Sequence, residues 1–275
     1  MGAGLGIVAG GGVLPRRIAE TAAAGGRPVF IIAFEGHTDA ATVEGFPHAW
    51  MKLGQTGAAL RRLRQAGCED VVMAGPMRRP TLSSLSLDFR SVAALAKAGA
   101  RVFGDDGLLS VIVEEIERDG FRVVGVEELL GGFLAPAGHL AGHAIGPADE
   151  ADIARGIAVL RTMGAADVGQ AVAVQEGLVL AVEAIEGTDA MIARAGMLRR
   201  PGPGPVLVKG VKPGQEGRAD RPTIGPQTVA AVVAAGFRGI VVEAGATLVV
   251  DCSATVEAVE RAGLFLLAQA FSDRS

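Results

Sequence analysis

The run Gly6–Pro15, GIVAGGGVLP, joins two patterns that rarely meet by accident. Leu5–Ala9 (LGIVA) is a short apolar run of strand length, and three glycines follow it. The stretch Val13–Ala24 then spaces its apolar residues as a helix does. A buried strand that turns through glycines into a helix is the opening unit of a parallel α/β sheet. The pattern continues outward. Strands are expected at Arg27–Phe34 (RPVFIIAF), Asp70–Gly75 (DVVMAG), Ala100–Gly104 (ARVFG) and Phe121–Gly125 (FRVVG). Helices are expected at Gly57–Ala66, with Leu60 and Leu63 inward, at Ser83–Ala98 and at Asp106–Asp119. Strands that are apolar throughout belong to a parallel sheet covered on both faces.

The pattern changes past Leu134–Glu150 (LAPAGHLAGHAIGPADE), which has no clear period and holds two prolines and three glycines. We place the domain boundary there, dividing the chain into 1–134 and 135–275. Beyond it, Glu150–Met163 reads as a helix. Ala171–Gly187 (AVAVQEGLVLAVEAIEG) reads as two strands turning at Gln175–Gly177, and Gly204–Gly210 (GPVLVKG) as another strand. A helix over Pro226–Ala235, a strand pair GIVVEAG and TLVVD, and a closing helix over Ala254–Ala262 complete this half. The expected fold class is therefore α/β: an N-terminal Rossmann-like parallel-sheet domain followed by a C-terminal mixed α/β domain.

Composition excludes several functions. The 275 residues carry a net charge of −4 with acids and bases interspersed, so there is no basic stripe for nucleic acid. Tyrosine is absent and aromatics total 4%, too few for base-stacking platforms. Mean hydropathy is high at +0.38, yet charge, Gly and Pro interrupt every run long enough to span a bilayer. The N-terminus lacks a basic signal n-region, and Gly6 breaks a myristoylation motif. Cys68 and Cys252 have no metal-ligand spacing, which suggests reduced thiols of a cytoplasmic protein. His139 and His143 would pair on zinc only in a helix, which Pro136, Gly138 and Gly142 oppose. The apolar excess fits a large core, a subunit interface, or a cavity for an apolar ligand.

Several segments carry candidate chemistry. Gly10, Gly11 and Gly12 let backbone approach a phosphate at a helix N-terminus, although Pro15 breaks the dinucleotide fingerprint. A tight turn is the alternative. Gly75 and Arg78 leave a strand end where α/β sheets bind ligands, and Arg suits phosphate. Asp105 and Asp106 cap a helix or bind a ribose or metal. Glu183, Glu186 and Asp189 crowd around Gly187 and Thr188, with Thr188 also a good N-cap and Arg194 within reach of Asp189. Lys209 and Lys212 lead into the loop GQEGRADRPTIG, which holds Glu216, Arg218, Asp220 and Arg221. Several cations with one or two carboxylates can grip a diphosphate and place a divalent ion or a water. A solvated charged loop is the alternative. Thr223 is placed to cap the helix that opens near Pro226.

In order along the chain, GIVAGGGVLP, GQTGAALRRLRQAG, VVMAGPMRRP, GDDGLL, DVGQAVAV, LVLAVEAIEGTDAMI, KPGQEGRAD and PTIGPQTV resemble the LpxI-type UDP-2,3-diacylglucosamine pyrophosphatases of lipid A synthesis. The resemblance implies a cytoplasmic enzyme at the inner face of the inner membrane. It would cleave UDP-2,3-diacylglucosamine to UMP and 2,3-diacylglucosamine 1-phosphate (lipid X) with a divalent cation, usually Mg2+. It also implies that the first domain carries the nucleotide and the second the acylated sugar, with water attacking the β-phosphorus. The family's key carboxylate, in R-x-D-x-P-T-I-G, falls on Asp220.

On this basis Asp220 activates water or holds magnesium, and Lys209, Lys212 and Arg218 contact the diphosphate. Glu183 is a further metal candidate. Gly10, Gly11, Gly12, Gly75, Arg78, Asp105, Asp106, Gln170, Glu186, Gly187, Thr188, Asp189, Thr223 and Gly225 are the expected substrate contacts. Arg221 stands where the family usually has leucine, and Glu216 where many members have aspartate. The expected partner is an amphiphilic small molecule drawn from a membrane surface, with no nucleic acid and with homo-oligomerisation open. A non-catalytic carrier or sensor of an acylated sugar nucleotide is the alternative, and a nicotinamide oxidoreductase a weaker third.

Overall fold

The computed structural model describes residues 2–77, 86–98, 105–130, 134–212 and 215–271, without the side chains of Leu95, Asp105 and Asp106. The expected strand Ala100–Gly104 and the candidate Arg78 lie outside the described residues. The chain divides into two compact units. One is Met1–Gly131 together with Glu216–Asp220, and the other is Gly132–Gln215 with Arg221–Ser275. Five residues of the charged loop thus group with the first unit, although they lie well beyond it in sequence.

The first unit is a five-stranded sheet. Its strands are β1 (Gly4–Ala9), β2 (Val29–Phe34), β3 (His48–Met51), β4 (Cys68–Ala74) and β5 (Arg122–Val123). They run in the order β3-β2-β1-β4-β5 and every pairing is parallel. This is the doubly wound order, and its direction reverses between β1 and β4. Helices α1 (Leu14–Ala24), α2 (Ala40–Val43), α3 (Thr56–Gln65), α4 (Phe89–Ala98) and α5 (Asp105–Arg118) connect the strands, and α6 (Val126–Leu129) follows the last of them. Leu60 and Leu63 of α3 are buried against Val71 and Met73 of β4, as their spacing requires. Val113 and Ile116 of α5, and Ala219 from the returning segment, join the same cluster. The strand β3, HAWM, went unread in the sequence because it is short and three of its four residues are at least partly exposed.

The second unit is built on β6 (Gly138–Gly142), β7 (Ala171–Gln175), β8 (Leu178–Val182), β9 (Val206–Lys209), β11 (Gly239–Glu243) and β13 (Phe265–Gln269). Their order is β6-β13-β11-β9-β7-β8. The central strands β9, β11 and β13 are parallel, whereas β6 and β7 run antiparallel to their inner neighbours. The hairpin β7–β8 turns at Glu176–Gly177, and buried Asp152 accepts both of their amide N–H groups, at 2.9 and 2.6 Å. Helix α7 (Pro147–Ala165) covers one face through Ile153 and Leu160, packing on Val206 and Val208. Helices α8 (Thr188–Met197), α9 (Pro226–Ala234) and α10 (Cys252–Arg261) cover the other, against Leu207, Ile240 and Val242.

Three expectations change in this half. The segment expected to be an irregular boundary contains β6, an exposed edge strand whose Gly and His content hides its pattern. The closing element is β13, a buried central strand beyond the helix expected at the end. GIVVEAG and TLVVD do not pair with each other. β12 (Leu248–Val249) instead pairs in parallel with β10 (Thr223–Ile224), because β11 already has β9 and β13 on its two sides.

Candidate functional site

The glycine loop after β1 is built by close backbone approach. The Gly10 amide donates to Ala74 O at 2.8 Å, that of Gly11 to Pro76 O at 2.9 Å, and that of Gly12 to Asp39 Oδ2 at 2.8 Å. A Cβ on Gly10 would lie 2.3 Å from Gly75 O, and one on Gly75 would lie 2.3 Å from Gly11 O. Gly12 and Gly75 also take positive φ, 76° and 87°. All three amides are therefore spent on protein acceptors, one of them a carboxylate. The amides of Gly10 and Gly11, offered by the sequence as part of a phosphate cradle, tie the end of β1 to the end of β4, and that of Gly12 is held by Asp39.

Beside this loop lies a cavity of ≈ 340 Å³. It sits at the carboxyl ends of β1 and β4, where a doubly wound sheet leaves a crevice. Val8 and Met73 line it from the sheet, and Leu109 and Ile112 from α5. Its few polar groups include Thr56, Ser91, Glu115 and Asp220. Asp88 organises one wall. One of its oxygens accepts the Gly57 amide at 2.7 Å, capping α3, and the other accepts the Ser91 amide at 2.9 Å, starting α4. Burial opposes its charge, but these hydrogen bonds outweigh it and hold the carboxyl below its usual range.

Asp220 reaches this cavity on a clamped turn. Its amide and that of Ala219 both donate to Glu216 O, at 3.0 and 2.9 Å. Arg218 grips Glu216 with two parallel bonds of 2.9 Å and holds Glu117 of α5 at 2.5 Å. The Arg218 hydrogen bonds, ahead of burial, pull the Glu216 carboxyl below its usual value. Arg218, expected to contact the diphosphate, is paired here with two carboxylates and pins the segment that carries Asp220. Arg221 belongs to the second unit and points one guanidinium nitrogen at Ala246 O, 3.5 Å away.

The second unit gathers most of the remaining candidates into one polar network. Lys209 ends β9 on the face shared with Leu207, where a core residue would stand, and is 6% exposed. Its Nζ donates to Thr188 Oγ1 at 3.0 Å and to Thr223 O at 3.1 Å. Thr188 donates in turn to Glu183 Oε1 at 2.7 Å, and the other Glu183 oxygen accepts the Gln170 amide at 3.3 Å. Gln170 Oε1 accepts from Gln215 Nε2 at 3.4 Å, and Gln215 Oε1 accepts the Lys212 amide at 2.9 Å. Lys212, 4% exposed, pairs through Nζ with Asp167 Oδ1 at 2.8 Å. The antiparallel β7 and β8 make this convergence possible. They bring the start of β7 and the end of β8 to the carboxyl end of β9, with Ala171 paired to Lys209. An ammonium this deep is tolerated only when held by such partners.

Three details correct the sequence reading. Thr188 is the first residue of α8 and makes no cap bond, because Gly187 is the N-cap and the hydroxyl serves Glu183 and Lys209. Arg194 pairs with Glu186 and with Val182 O, so the expected Asp189 partnership is absent among the hydrogen bonds described. Thr223 lies in β10 and its hydroxyl donates to Arg221 O at 3.1 Å; Gly225 caps α9. Asp189 is exposed in the first turn of α8, outside the network described. Asp105 and Asp106 open α5, with side chains outside the description. Asp167 and Gln215 were not singled out from the sequence. Asp167 sits in DVGQ at a positive φ of 51°, a conformation for which Asp and Asn are favoured.

Among the described residues no three His, Cys, Asp or Glu side chains are grouped to hold a metal, and no helix is long and apolar enough to cross a membrane. Two family models match the chain: an LpxI N-terminal domain over residues 4–133 and an LpxI C-terminal domain over residues 136–267. The chain is also similar to the UDP-2,3-diacylglucosamine pyrophosphatase LpxI of Caulobacter vibrioides. The two are 40% identical over 274 residues, covering 96% of each. The chain belongs to the LpxI family and is an enzyme.

Proposed function

We propose that this enzyme hydrolyses the diphosphate of UDP-2,3-diacylglucosamine, giving UMP and 2,3-diacylglucosamine 1-phosphate. Whole-chain similarity to a relative named for that reaction supports the substrate. The observation that carries the chemistry is the pair of buried lysines, Lys209 and Lys212, held on a hydrogen-bonded frame at a sheet's carboxyl edge. Fixed cations in a dry setting stabilise charge as it builds on a phosphoryl group.

In the first unit, Asp220 is the carboxylate we assign to the attacking water. It lines a cavity whose aliphatic walls suit an acyl chain better than a uridine, which needs several hydrogen-bond partners. This reverses the division of labour that the resemblance implies. A carboxylate beside the acyl chain also fits attack on the β-phosphorus, which carries the acylated sugar. Asp220 is a hard oxygen donor that suits magnesium, which takes one or two carboxylates and completes its shell with water and phosphate oxygens. Glu183 suits it less, since both of its oxygens already accept hydrogen bonds. Bound magnesium would withdraw charge from the diphosphate oxygens.

Incubating the purified protein with UDP-2,3-diacylglucosamine and magnesium tests the reading. UMP and the sugar 1-phosphate are expected, with label from oxygen-18 water in the sugar 1-phosphate. Binding without product favours the carrier, and label in UMP rejects β attack.

A further inference from the structure

Strand β9 delivers two buried ammonium groups in quick succession, Lys209 at its end and Lys212 just beyond it. A chain leaving a strand has to find acceptors for its next amides. Here each acceptor comes from a different part of the second unit. The Gly210 amide donates to Gln170 O at 3.1 Å, ahead of β7, and the Lys212 amide to Gln215 Oε1 at 2.9 Å. The amide between them, that of Val211, donates to Oε2 of Glu243 at 2.9 Å. Glu243 is the last residue of β11, one position beyond Val242, which pairs with Lys209. Its carboxylate is pressed against the loop. A Cβ on Gly210 would lie 2.9 Å from the same Oε2 and 2.5 Å from the ring of Phe271. Among the described residues, Glu243 forms no ion pair and its side chain makes no other hydrogen bond. The half-buried carboxylate thus has one protein partner, the backbone link between the two lysines.

We infer that Glu243 is a positioning residue for the hydrolysis. It fixes Val211, and with it the path of the chain from Lys209 to Lys212, so that both ammonium groups are set before the diphosphate arrives. The inference rests on the proposed role of the two lysines. Lys209 is also held by the ladder of β9, but Lys212 lies outside that ladder and its backbone depends on the bonds of this short loop. A displacement of about 1 Å in a group that meets a transition state costs up to about a hundredfold in rate. The role requires reach and not charge. The side-chain carbonyl oxygen of a glutamine here would accept the same N–H. An aspartate would keep the charge and fall short by one methylene.

Glu243→Gln and Glu243→Asp, assayed beside wild type with UDP-2,3-diacylglucosamine and magnesium, separate reach from charge. Glu243→Gln is expected to keep kcat within about threefold of wild type. Glu243→Asp should lose about tenfold or more in kcat with KM changed less than about threefold, as for an interaction realised in the transition state. A glutamate that only supported the fold would lower the thermal midpoint without this split. A second readout needs no turnover. The chain has four lysines, and the other two, Lys52 and Lys97, are exposed. Under acetic anhydride, followed by peptide mass spectrometry, Lys209 and Lys212 of wild type should react about tenfold or more slowly than those two. Glu243→Asp should speed labelling of Lys212 by about tenfold and leave Lys52 and Lys97 unchanged, and Glu243→Gln should label like wild type. Wild-type kcat or wild-type protection of Lys212 in Glu243→Asp overturns the inference. So does a Gln variant as impaired as the Asp variant, because the charge would then be the working part. Absent turnover in wild type would sink the hydrolase reading instead, and the labelling would still report on the loop.

Discussion

At the scale of single residues, the two units place their charged groups under different constraints. Asp220 is held by backbone bonds to Glu216 and stands at a cavity wall, so its loss removes little packing. Asp220→Ala is therefore expected to fold with a thermal midpoint near that of wild type, to retain substrate, and to lose turnover by about a hundredfold or more. Near-normal turnover would remove it from the mechanism. Lys209 is different because the fold also depends on it. Lys209→Met removes the donor that Thr188 Oγ1 and Thr223 O accept, so both turnover and stability should fall. Leaving a buried hydrogen-bond acceptor unsatisfied costs about 1–3 kcal/mol, and a urea titration would measure it. Lys209→Arg should restore part of the stability and little of the activity, because the planar fork does not match a site shaped around an ammonium. If stability alone fell, Lys209 would be a structural residue.

At the scale of elements, the loops of the first unit hold more information than the sequence offered. Its glycine run announced a strand–turn–helix correctly. The use of its amides depended on Ala74, Pro76 and Asp39, which lie 27 residues or more away and could not be paired with it by reading along the chain. Gly10→Ala should cost about 1–3 kcal/mol or more, since its Cβ would meet the carbonyl oxygen of Gly75. Gly36→Ala, at a positive φ but in open space, is the control and should cost about 1 kcal/mol. Equal midpoints for the two variants would mean that the loops move apart freely. The charged turn makes a pH prediction. Arg218 favours the ionised form of Glu216 in the folded state, so its contribution is complete above the ordinary value of 4.5. That contribution drains away as pH falls through the lowered folded value. Stability of wild type should drop between pH 6 and pH 3.5 by more than that of Glu216→Gln, measured by urea midpoints. Identical drops would assign the acid sensitivity to other carboxylates, such as Asp70, Asp88 and Asp119, which are also held low.

At the scale of the whole molecule, the fold class was legible because apolar periodicity is a local property. The path of the chain was not. The five residues from Glu216 to Asp220 return to the first unit, and what drives that return is their contact with distant α5 through Arg218 and Glu117, together with the packing of half-buried Ala219 against the core cluster. Composition marked the segment as a charged loop, and only the tertiary pairing shows which half owns it. The first unit is therefore incomplete as a continuous piece of chain. A protein truncated after residue 131 lacks Ala219 from its core cluster and both Ala219 and Asp220 from its cavity lining, and leaves Glu117 without Arg218. Such a fragment is expected to bind the dye ANS through the opened apolar surface and to unfold at lower urea than the same fragment with residues 216–220 appended on a flexible linker. The linked form should recover stability, and Arg218→Ala within it should lose the gain. If the bare fragment is as stable and as dye-silent as the linked one, the returning segment is carried by the first unit without supporting it.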